Sequence, residues 1–132
     1  MYFREQFQTD AAPQAIGPYS QAVRAGDTVY VSGQIPLDPE SMQLVSGDFR
    51  AQVEQVLTNI EAVAGAAGAT LCQLVKLTVY LTDLSRFETV NDVLEEYFLE
   101  PYPARAAVGV ASLPKGAEVE MEGVLYVPEA GS

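Results

Sequence analysis

Two segments of the chain carry apolar residues at the spacing of an amphipathic helix. The first covers residues 49–67, with Asp48 as a candidate N-cap and Gly68 as a stop signal. The second covers residues 87–98. At its start, Ser85 and Glu88 fit a capping box. Because each segment has one apolar stripe, the pattern predicts two helices that pack on one sheet.

Shorter segments alternate apolar and polar residues, which is typical of strands. They are residues 21–24, 28–32, 74–81, 103–111 and 119–127. The sequence predicts a hairpin turn at residues 26–27, a long loop at residues 33–47 and a turn at residues 114–116. Residues 1–14 have a mixed, polar composition, which predicts an extended N-terminal arm. A single domain is expected to follow at residues 15–132. Since helices alternate with strands and there is no internal repeat, the expected class is α+β or α/β.

A single sheet covered by two helices leaves its other face without helices. Lys76, Thr78 and Tyr80 alternate along one strand, and no further helix is predicted that could cover them. Glu120 and Glu122 share a face of another strand in the same way. We therefore expect an oligomer with ligand sites in clefts between subunits. The alternative is a monomer whose antiparallel sheet has one solvated face.

Arg105 is the single charged residue in residues 103–111, which otherwise have the composition of a buried strand. Its guanidinium remains protonated, so it requires an acidic partner or an acidic ligand. Alternation places Ala107, Gly109 and Ala111 on the same face, which leaves space beside the cation. This arrangement favours a site for a small carboxylate, and an ordinary ion pair at a strand end is the alternative.

Glu120 is the second candidate for chemistry. Its strand follows the Arg105 strand after a short turn, so we expect a hairpin that brings the two side chains near each other. A carboxylate beside a bound substrate can position water and transfer protons, especially where burial raises its pKa. A solvated or arginine-paired Glu120 is the alternative.

Composition excludes several classes of chemistry. The chain has no histidine and a single cysteine, Cys72, so a Ser-His-Asp triad, a Cys-His pair and a Cys/His metal cluster cannot be built. The net charge of −11 disfavours a nucleic-acid surface. We expect no metal ion and no cofactor. The free thiol, together with the lack of a signal-like or membrane-length apolar run, predicts a cytoplasmic protein.

Further residues are candidates for the walls of a site. Tyr19 lies where the chain leaves the arm, and its phenol could donate to a ligand. Ser32 and Gly33 end a strand and could supply a hydroxyl and a closely approaching backbone N–H. Asn91 lies within the second predicted helix. Lys115 as a Schiff-base lysine is disfavoured, because a lysine in a turn is normally solvated.

Several motifs occur in a characteristic order along the chain. They are residues 16–22 (IGPYSQA), 31–36 (VSGQIP), 75–84 (VKLTVYLTDL), Phe87, residues 90–91, 103–105 (PAR), 113–116 (LPKG) and 119–122 (VEME). Together they resemble the RidA family, also called YjgF/YER057c/UK114. The resemblance runs from Ala15 to Val127 with family-like spacing, so it is far more specific than any single motif.

The resemblance implies a chorismate-mutase-like α+β fold, in which a single mixed sheet carries two helices on one face. It further implies a homotrimer with clefts between subunits. The implied activity is that of a 2-iminobutanoate/2-iminopropanoate deaminase, which hydrolyses reactive enamine/imine intermediates such as 2-aminoacrylate to 2-keto acids and ammonia. Arg105 matches the family's carboxylate-binding arginine, and Glu120 matches the acid that positions the attacking water. The substrate-binding positions of the family correspond to Tyr19, Ser32, Gly33, Asn91 and Ala107.

This chain also departs from the family pattern. Many members have a cysteine where this chain has Ala107, so a thiol cannot act there. The segment at residues 100–102 is shorter than in several relatives, which affects the rim of the cleft. Two other functions stay open: a non-catalytic regulator that binds a 2-keto acid or another small carboxylate, and, less favoured, an endoribonuclease.

Overall fold

In a computed structural model, which describes residues 4–128, six strands form one mixed sheet. The strands are β1 (Glu5–Phe7), β2 (Ala22–Ala25), β3 (Thr28–Gln34), β4 (Leu74–Leu81), β5 (Ala104–Gly109) and β6 (Val119–Tyr126). The helices are α1 (Phe49–Ala66) and α2 (Phe87–Tyr97), and short 3₁₀ turns cover Leu71–Gln73, Leu84–Arg86 and Pro114–Gly116. The strand order is β1-β2-β3-β6-β4-β5, and β4 pairs with β5 in parallel whereas the other neighbours are antiparallel. The expected α+β class is confirmed.

Helix α1 has the termini that the sequence predicts. The Asp48 side chain accepts a hydrogen bond from the Ala51 backbone N–H at 2.9 Å, which satisfies one of the free donors of the first turn. Gly68 has a φ of +77°, the left-handed conformation in which a glycine ends a helix at little cost. These local signals explain why the bounds of α1 follow so closely from the sequence.

The capping box predicted at residues 85–88 is wrong. Asp83 caps the preceding 3₁₀ turn, because its carboxylate accepts from the Ser85 backbone N–H at 3.0 Å and from the Ser85 hydroxyl at 2.7 Å. Arg86 precedes α2 and makes no side-chain capping bond. Packing of the apolar face of α2 against α1 and the hydrophobic core therefore stabilises this short helix in place of a cap.

The hydrophobic core lies between the helices and one face of the sheet. Fully buried side chains of that core include Val53, Val56, Leu57, Ile60 and Val63 of α1, Val90 and Val93 of α2, and Val29, Leu77, Val79, Leu81, Val119, Met121 and Leu125 of the strands. Each such side chain contributes about 1.5–3 kcal/mol when it is fully removed from water. Because the strands alternate, the neighbours of these residues point to the opposite face.

Within the described residues, no helix covers that opposite face, as expected. Thr78 pairs with Glu122 across β4 and β6, and the Tyr80 hydroxyl donates to Glu122 Oε1 at 3.1 Å. Tyr30 and Tyr126 are also exposed among the described residues. A sheet face with large exposed aromatic residues is typical of a surface that another protein covers. Within residues 4–128, no helix has the length and apolar character needed to cross a membrane.

The hairpin predicted between the Arg105 strand and the Glu120 strand is wrong. β5 and β6 are both neighbours of β4, which lies between them. The reason is the β4-α2-β5 crossover, which places β5 parallel to β4 at the edge of the sheet. The chain then passes the end of β4 before β6 enters the interior of the sheet.

The expectation that residues 103–111 form a buried strand is also wrong. β5 is an edge strand, and most of its residues are exposed, with Val108 at 40%.

On β4, one residue departs from the alternation of buried and exposed side chains that the sequence predicts. A bulge at Val75 shifts the register between Leu74 and Lys76, so Val75 is exposed and Leu74 takes its place in the core.

Candidate functional site

Arg105 lies in a cleft of about 380 Å³ between α2, β5 and the segment that connects them. Its Nη1 donates to Asn91 Oδ1 at 2.6 Å, and the guanidinium carbon lies 4.7 Å from the centre of the Phe87 ring. Among the described residues, no carboxylate forms an ion pair with Arg105. The guanidinium has five donors, so an exposed Arg105 held by one amide retains donors for an anion.

Phe87 is a site residue that the search for polar groups missed. Phe87 and Asn91 are four residues apart on α2, so they lie on one face of the helix and meet the same side chain. A cation over an aromatic face is stabilised by about 0.5–1 kcal/mol where it is exposed. The four-residue spacing of Phe87 and Asn91 within a predicted helix is the sequence feature that could have identified Phe87 as a neighbour of Asn91. Together they fix the direction of the guanidinium.

Glu120 lies in a second cleft, of about 600 Å³, on the other side of the sheet. Its walls are Pro13, Gln14, Ile16, Tyr19, Gln21, Ser32, Gly33, Gln34, Ile35, Leu37, Met42, Pro114 and Lys115. The β3–β6 register shifts between Val31 and Gln34, and this irregularity brings Gly33 against the Glu120 carboxylate. A Cβ at position 33 would overlap that carboxylate, so a larger residue there would force the Glu120 carboxylate to move from its present position.

The environment of Glu120 suits a proton acceptor. Burial raises the pKa of its carboxyl group above the ordinary value, and the nearby Glu122 carboxylate raises it further. A carboxylate with a raised pKa is a stronger base than a solvated one. The group can therefore take a proton from a water molecule placed in the cleft.

Tyr19 and Ser32 form part of the same wall. The Tyr19 hydroxyl accepts from the Ile16 backbone N–H at 3.3 Å, which leaves the phenolic hydrogen available to a ligand. The Ser32 hydroxyl donates to the Ser20 carbonyl at 2.6 Å, so its oxygen can accept from a ligand.

Sequence reasoning missed Gln21, which is 2% exposed. Its side chain bonds both backbone groups of Thr9, and a buried amide that links distant segments has no local sequence signal.

One protomer does not bring Arg105 and Glu120 together. Arg105 pairs with Leu77, which faces the helices, whereas Glu120 pairs with Tyr80, which faces the opposite side of the sheet. The two candidates are therefore on different faces and have β4 between them. Ala107 shares the Arg105 face, packs partly buried against the core and lines neither cleft.

Comparison with known proteins places this two-layer α+β chain in a class of small proteins that have the same single sheet and two helices. RidA from the Antarctic bacterium Psychrobacter sp. PAMC 21119 superimposes with a TM-score of 0.90 at 56% identity, over 93% of this chain and 99% of that one. A RutC family protein of Pyrococcus abyssi is 49% identical over 123 residues, which are 93% of this chain and 97% of the relative.

Two further matches identify the family. The human protein named 2-iminobutanoate/2-iminopropanoate deaminase is 49% identical over 121 residues, which are 92% of this chain and 88% of the human protein. The profile of the family described as endoribonuclease L-PSP matches residues 9–127. The chain belongs to this family, the RidA (YjgF) family, and the resemblance inferred from its motifs is confirmed.

Proposed function

We propose that the protein is an enamine/imine deaminase that hydrolyses 2-iminopropanoate and 2-iminobutanoate to 2-keto acids and ammonia. The observation that carries this proposal is the state of Arg105, which is exposed in a cleft and bonded to an amide rather than to a carboxylate. A 2-imino acid supplies the missing carboxylate. The name of the human relative supports the same reaction for this chain.

The complete site takes Arg105 from one subunit and Glu120 from another, because the two residues lie on different faces of one sheet. In the homotrimer that we propose, the helix-free face around Glu120 meets the β5 edge of the next copy. Tyr30, Val108 and Tyr126 are large apolar or aromatic side chains that are exposed in the single chain, and this supports burial of these surfaces between subunits. Arg105 and Glu120 occupy different patches, and an interface between different patches closes into a ring when the rotation allows it.

The proposed chemistry needs little machinery because an imine carbon is already electrophilic. Arg105 holds the substrate carboxylate and orients the C=N bond. Glu120 accepts a proton from water while the water oxygen bonds to the imine carbon and the C=N electron pair moves to nitrogen. The proton then passes to that nitrogen and completes a carbinolamine. Glu120 next moves the hydroxyl proton of the carbinolamine to its amino group, so the C–N bond breaks, the carbonyl forms and ammonia leaves. For 2-aminoacrylate, protonation of the terminal carbon first gives 2-iminopropanoate.

The deaminase proposal is tested by the release of ammonia from imines that an amino acid oxidase generates in situ from alanine and 2-aminobutyrate. We expect ammonia to appear faster than in the same mixture without the protein. Cleavage of RNA is measured with the same preparation, and the net charge of −11 leads us to expect none. An uncatalysed rate of ammonia release would contradict the proposal. Binding of pyruvate without turnover would support the regulator instead, since the Arg105 cleft can hold either ligand.

We expect a homotrimer, with a mass three times the protomer mass of 14.2 kDa in multi-angle light scattering at micromolar concentration. A matched variant links assembly to activity. Val108 lies on β5, faces the same side as Tyr80 and lines neither cleft. Val108→Glu should lower the mass and the deaminase activity together. A monomeric wild-type protein that is fully active would contradict the shared site.

The substitution Ala107→Cys should leave kcat within a few-fold of the wild-type value. Ala107 is on the Arg105 face of β5, and a mechanism of substrate binding and water attack does not require a thiol. The variant should become sensitive to thiol reagents, because an adduct at position 107 would lie on the same face of β5 as Arg105. A large gain in kcat would show that this chain lacks a catalytic group and would favour the non-catalytic regulator.

A further inference from the structure

Two residues with unusual backbone conformations meet at the edge of the Glu120 cleft. Met42 and Lys115 have φ values of 60° and 59°, and they are the non-glycine residues with positive φ in the described part of the chain. Both line the cleft that contains Glu120. The Lys115 Nζ donates to the Met42 carbonyl at 3.3 Å. Left-handed conformations at non-glycine residues are strained, and such strain is concentrated at functional sites.

The turn that carries Met42 is held tightly from within. The Asp38 carboxylate accepts from the Glu40 and Ser41 backbone N–H groups at 2.8 and 3.0 Å. The Met42 backbone N–H donates to the Asp38 carbonyl at 2.8 Å, and the Asp38 N–H donates to the Gln43 carbonyl at 2.9 Å. These bonds fix the shape of the turn. The contact from Lys115 comes from a distant part of the chain and links the Met42 carbonyl to the segment that precedes β6.

The wall beside this contact is apolar. Leu37 is buried, Ile35 and Met42 are half-buried, and all three line the cleft on the side of the turn. A 2-imino acid has three parts: a carboxylate, the reacting C=N group and a side chain. If Arg105 binds the substrate carboxylate and Glu120 lies beside the C=N group, the side chain of the substrate contacts the apolar wall.

We propose that Met42, positioned by Lys115, limits the size of the substrate side chain that the Glu120 cleft accepts. This inference rests on the proposed deaminase function and names the residues that set its side-chain preference. Met42 limits the length of the substituent through its own side chain. Lys115 is a positioning residue, because it acts through the carbonyl group of Met42.

The size selection is tested with imines derived from alanine, 2-aminobutyrate, leucine and phenylalanine. Met42→Ala should raise kcat/KM for the leucine and phenylalanine imines by roughly 10-fold relative to the alanine imine, the scale on which apolar pockets discriminate side chains. Met42→Gly should do the same, and it accommodates the left-handed backbone without strain. The control Leu99→Ala removes a side chain that is 83% exposed and lines neither cleft, so the ratio should not change.

The positioning role is tested with Lys115→Met, which keeps the length of the side chain and removes the donor. We expect the same change in side-chain preference as for Met42→Ala, with a higher KM and a nearly unchanged kcat for the alanine imine. Lys115→Arg retains a donor and should restore the wild-type preference. Arg50→Met removes a positive charge from α1 at a residue paired with Glu54 and Glu96, and it controls for the loss of charge.

Calorimetric binding of pyruvate and 4-methyl-2-oxopentanoate separates this inference from the deaminase proposal. Turnover by the wild-type protein with unchanged ratios in every Met42 and Lys115 variant would overturn the size selection alone. Binding without turnover, with a preference for pyruvate that weakens in Met42→Ala, would support the selection while overturning the deaminase. An absence of both turnover and binding would overturn both.

Discussion

Arg105→Ala is expected to lower kcat/KM for 2-iminopropanoate by roughly 10²–10³-fold, the scale for removing one charge-stabilising group from an active site. The change removes the proposed carboxylate anchor and leaves a small residue on a strand face that already carries Ala107. The melting temperature should hardly move, because Arg105 is exposed and, among residues 4–128, its side chain contacts only Asn91 and the Phe87 ring through its polar group. Ammonia release and thermal unfolding are measured on the same preparation.

Arg86→Ala is the matched control for Arg105→Ala. The Arg86 guanidinium also lies over an aromatic ring, 4.8 Å from the centre of Phe49, and it lines neither cleft. Its removal should leave kcat/KM close to the wild-type value. Arg105→Lys should remain poor, because a point charge replaces the two-pronged guanidinium. Wild-type turnover by Arg105→Ala would end the assignment of this residue to substrate binding.

The parts of the fold that depend on neighbouring residues could be predicted from the sequence. Asp48 and Gly68 act on residues within a few positions of themselves, so the bounds of α1 follow from local patterns. The pairing of β4 with both β5 and β6 could not be predicted in this way. It depends on the crossover through α2 and on packing between segments that are far apart in the chain.

In the candidate site too, some features follow from the local sequence and others depend on distant segments of the chain. Arg105 stands out because it interrupts an apolar segment. In the described part of the chain its side chain contacts an amide and a ring and forms no ion pair with a carboxylate. Its exposure could not be inferred, since an edge strand and a central strand can have the same composition. The contact between Lys115 and Met42 joins residues 73 positions apart, and neither residue is distinctive by itself.

The separation of the two clefts is the reason that the proposed site would depend on assembly. Arg105 belongs to the helix-covered face of β5, and Glu120 belongs to the bare face of β6. A single copy could bind a carboxylate at one cleft and hold water at the other, but the two groups would not act on one substrate. In the proposed trimer, loss of the interface therefore removes catalysis without changing any residue of the site.

Glu120→Gln should lower kcat by roughly 10²–10⁴-fold, the usual contribution of a general acid–base group. The amide keeps the shape of the side chain beside Gly33 but cannot accept a proton from water. Ligand affinity should change much less, because the carboxylate of the substrate is bound by Arg105. The kinetic constants are measured for 2-iminopropanoate and compared with the binding of pyruvate. An unchanged kcat would mean that Glu120 is structural and that backbone groups hold the water.

The pH dependence gives a second measurement of the same role. Burial and the Glu122 carboxylate raise the pKa of Glu120, and Tyr19, Tyr80 and Lys115 are further titratable groups around it. The wild-type kcat/KM should rise with pH through this raised pKa, because the base acts when ionised. Glu120→Gln should lose this rise. Glu122→Gln, the matched control, should keep the activity and move the rise to lower pH, since it removes a charge that raises the Glu120 pKa.

Stability should change with pH in the opposite sense to activity. A carboxyl group whose pKa is higher in the folded state favours folding below its unfolded-state pKa, and this contribution is lost as the pH rises through the folded-state value. Glu120→Gln has no such loss, so its melting temperature relative to wild type should increase over that interval. A protein that becomes more stable as it loses its activity has a residue kept for chemistry. A variant that is less stable at neutral pH would instead indicate that Glu120 is retained for the fold.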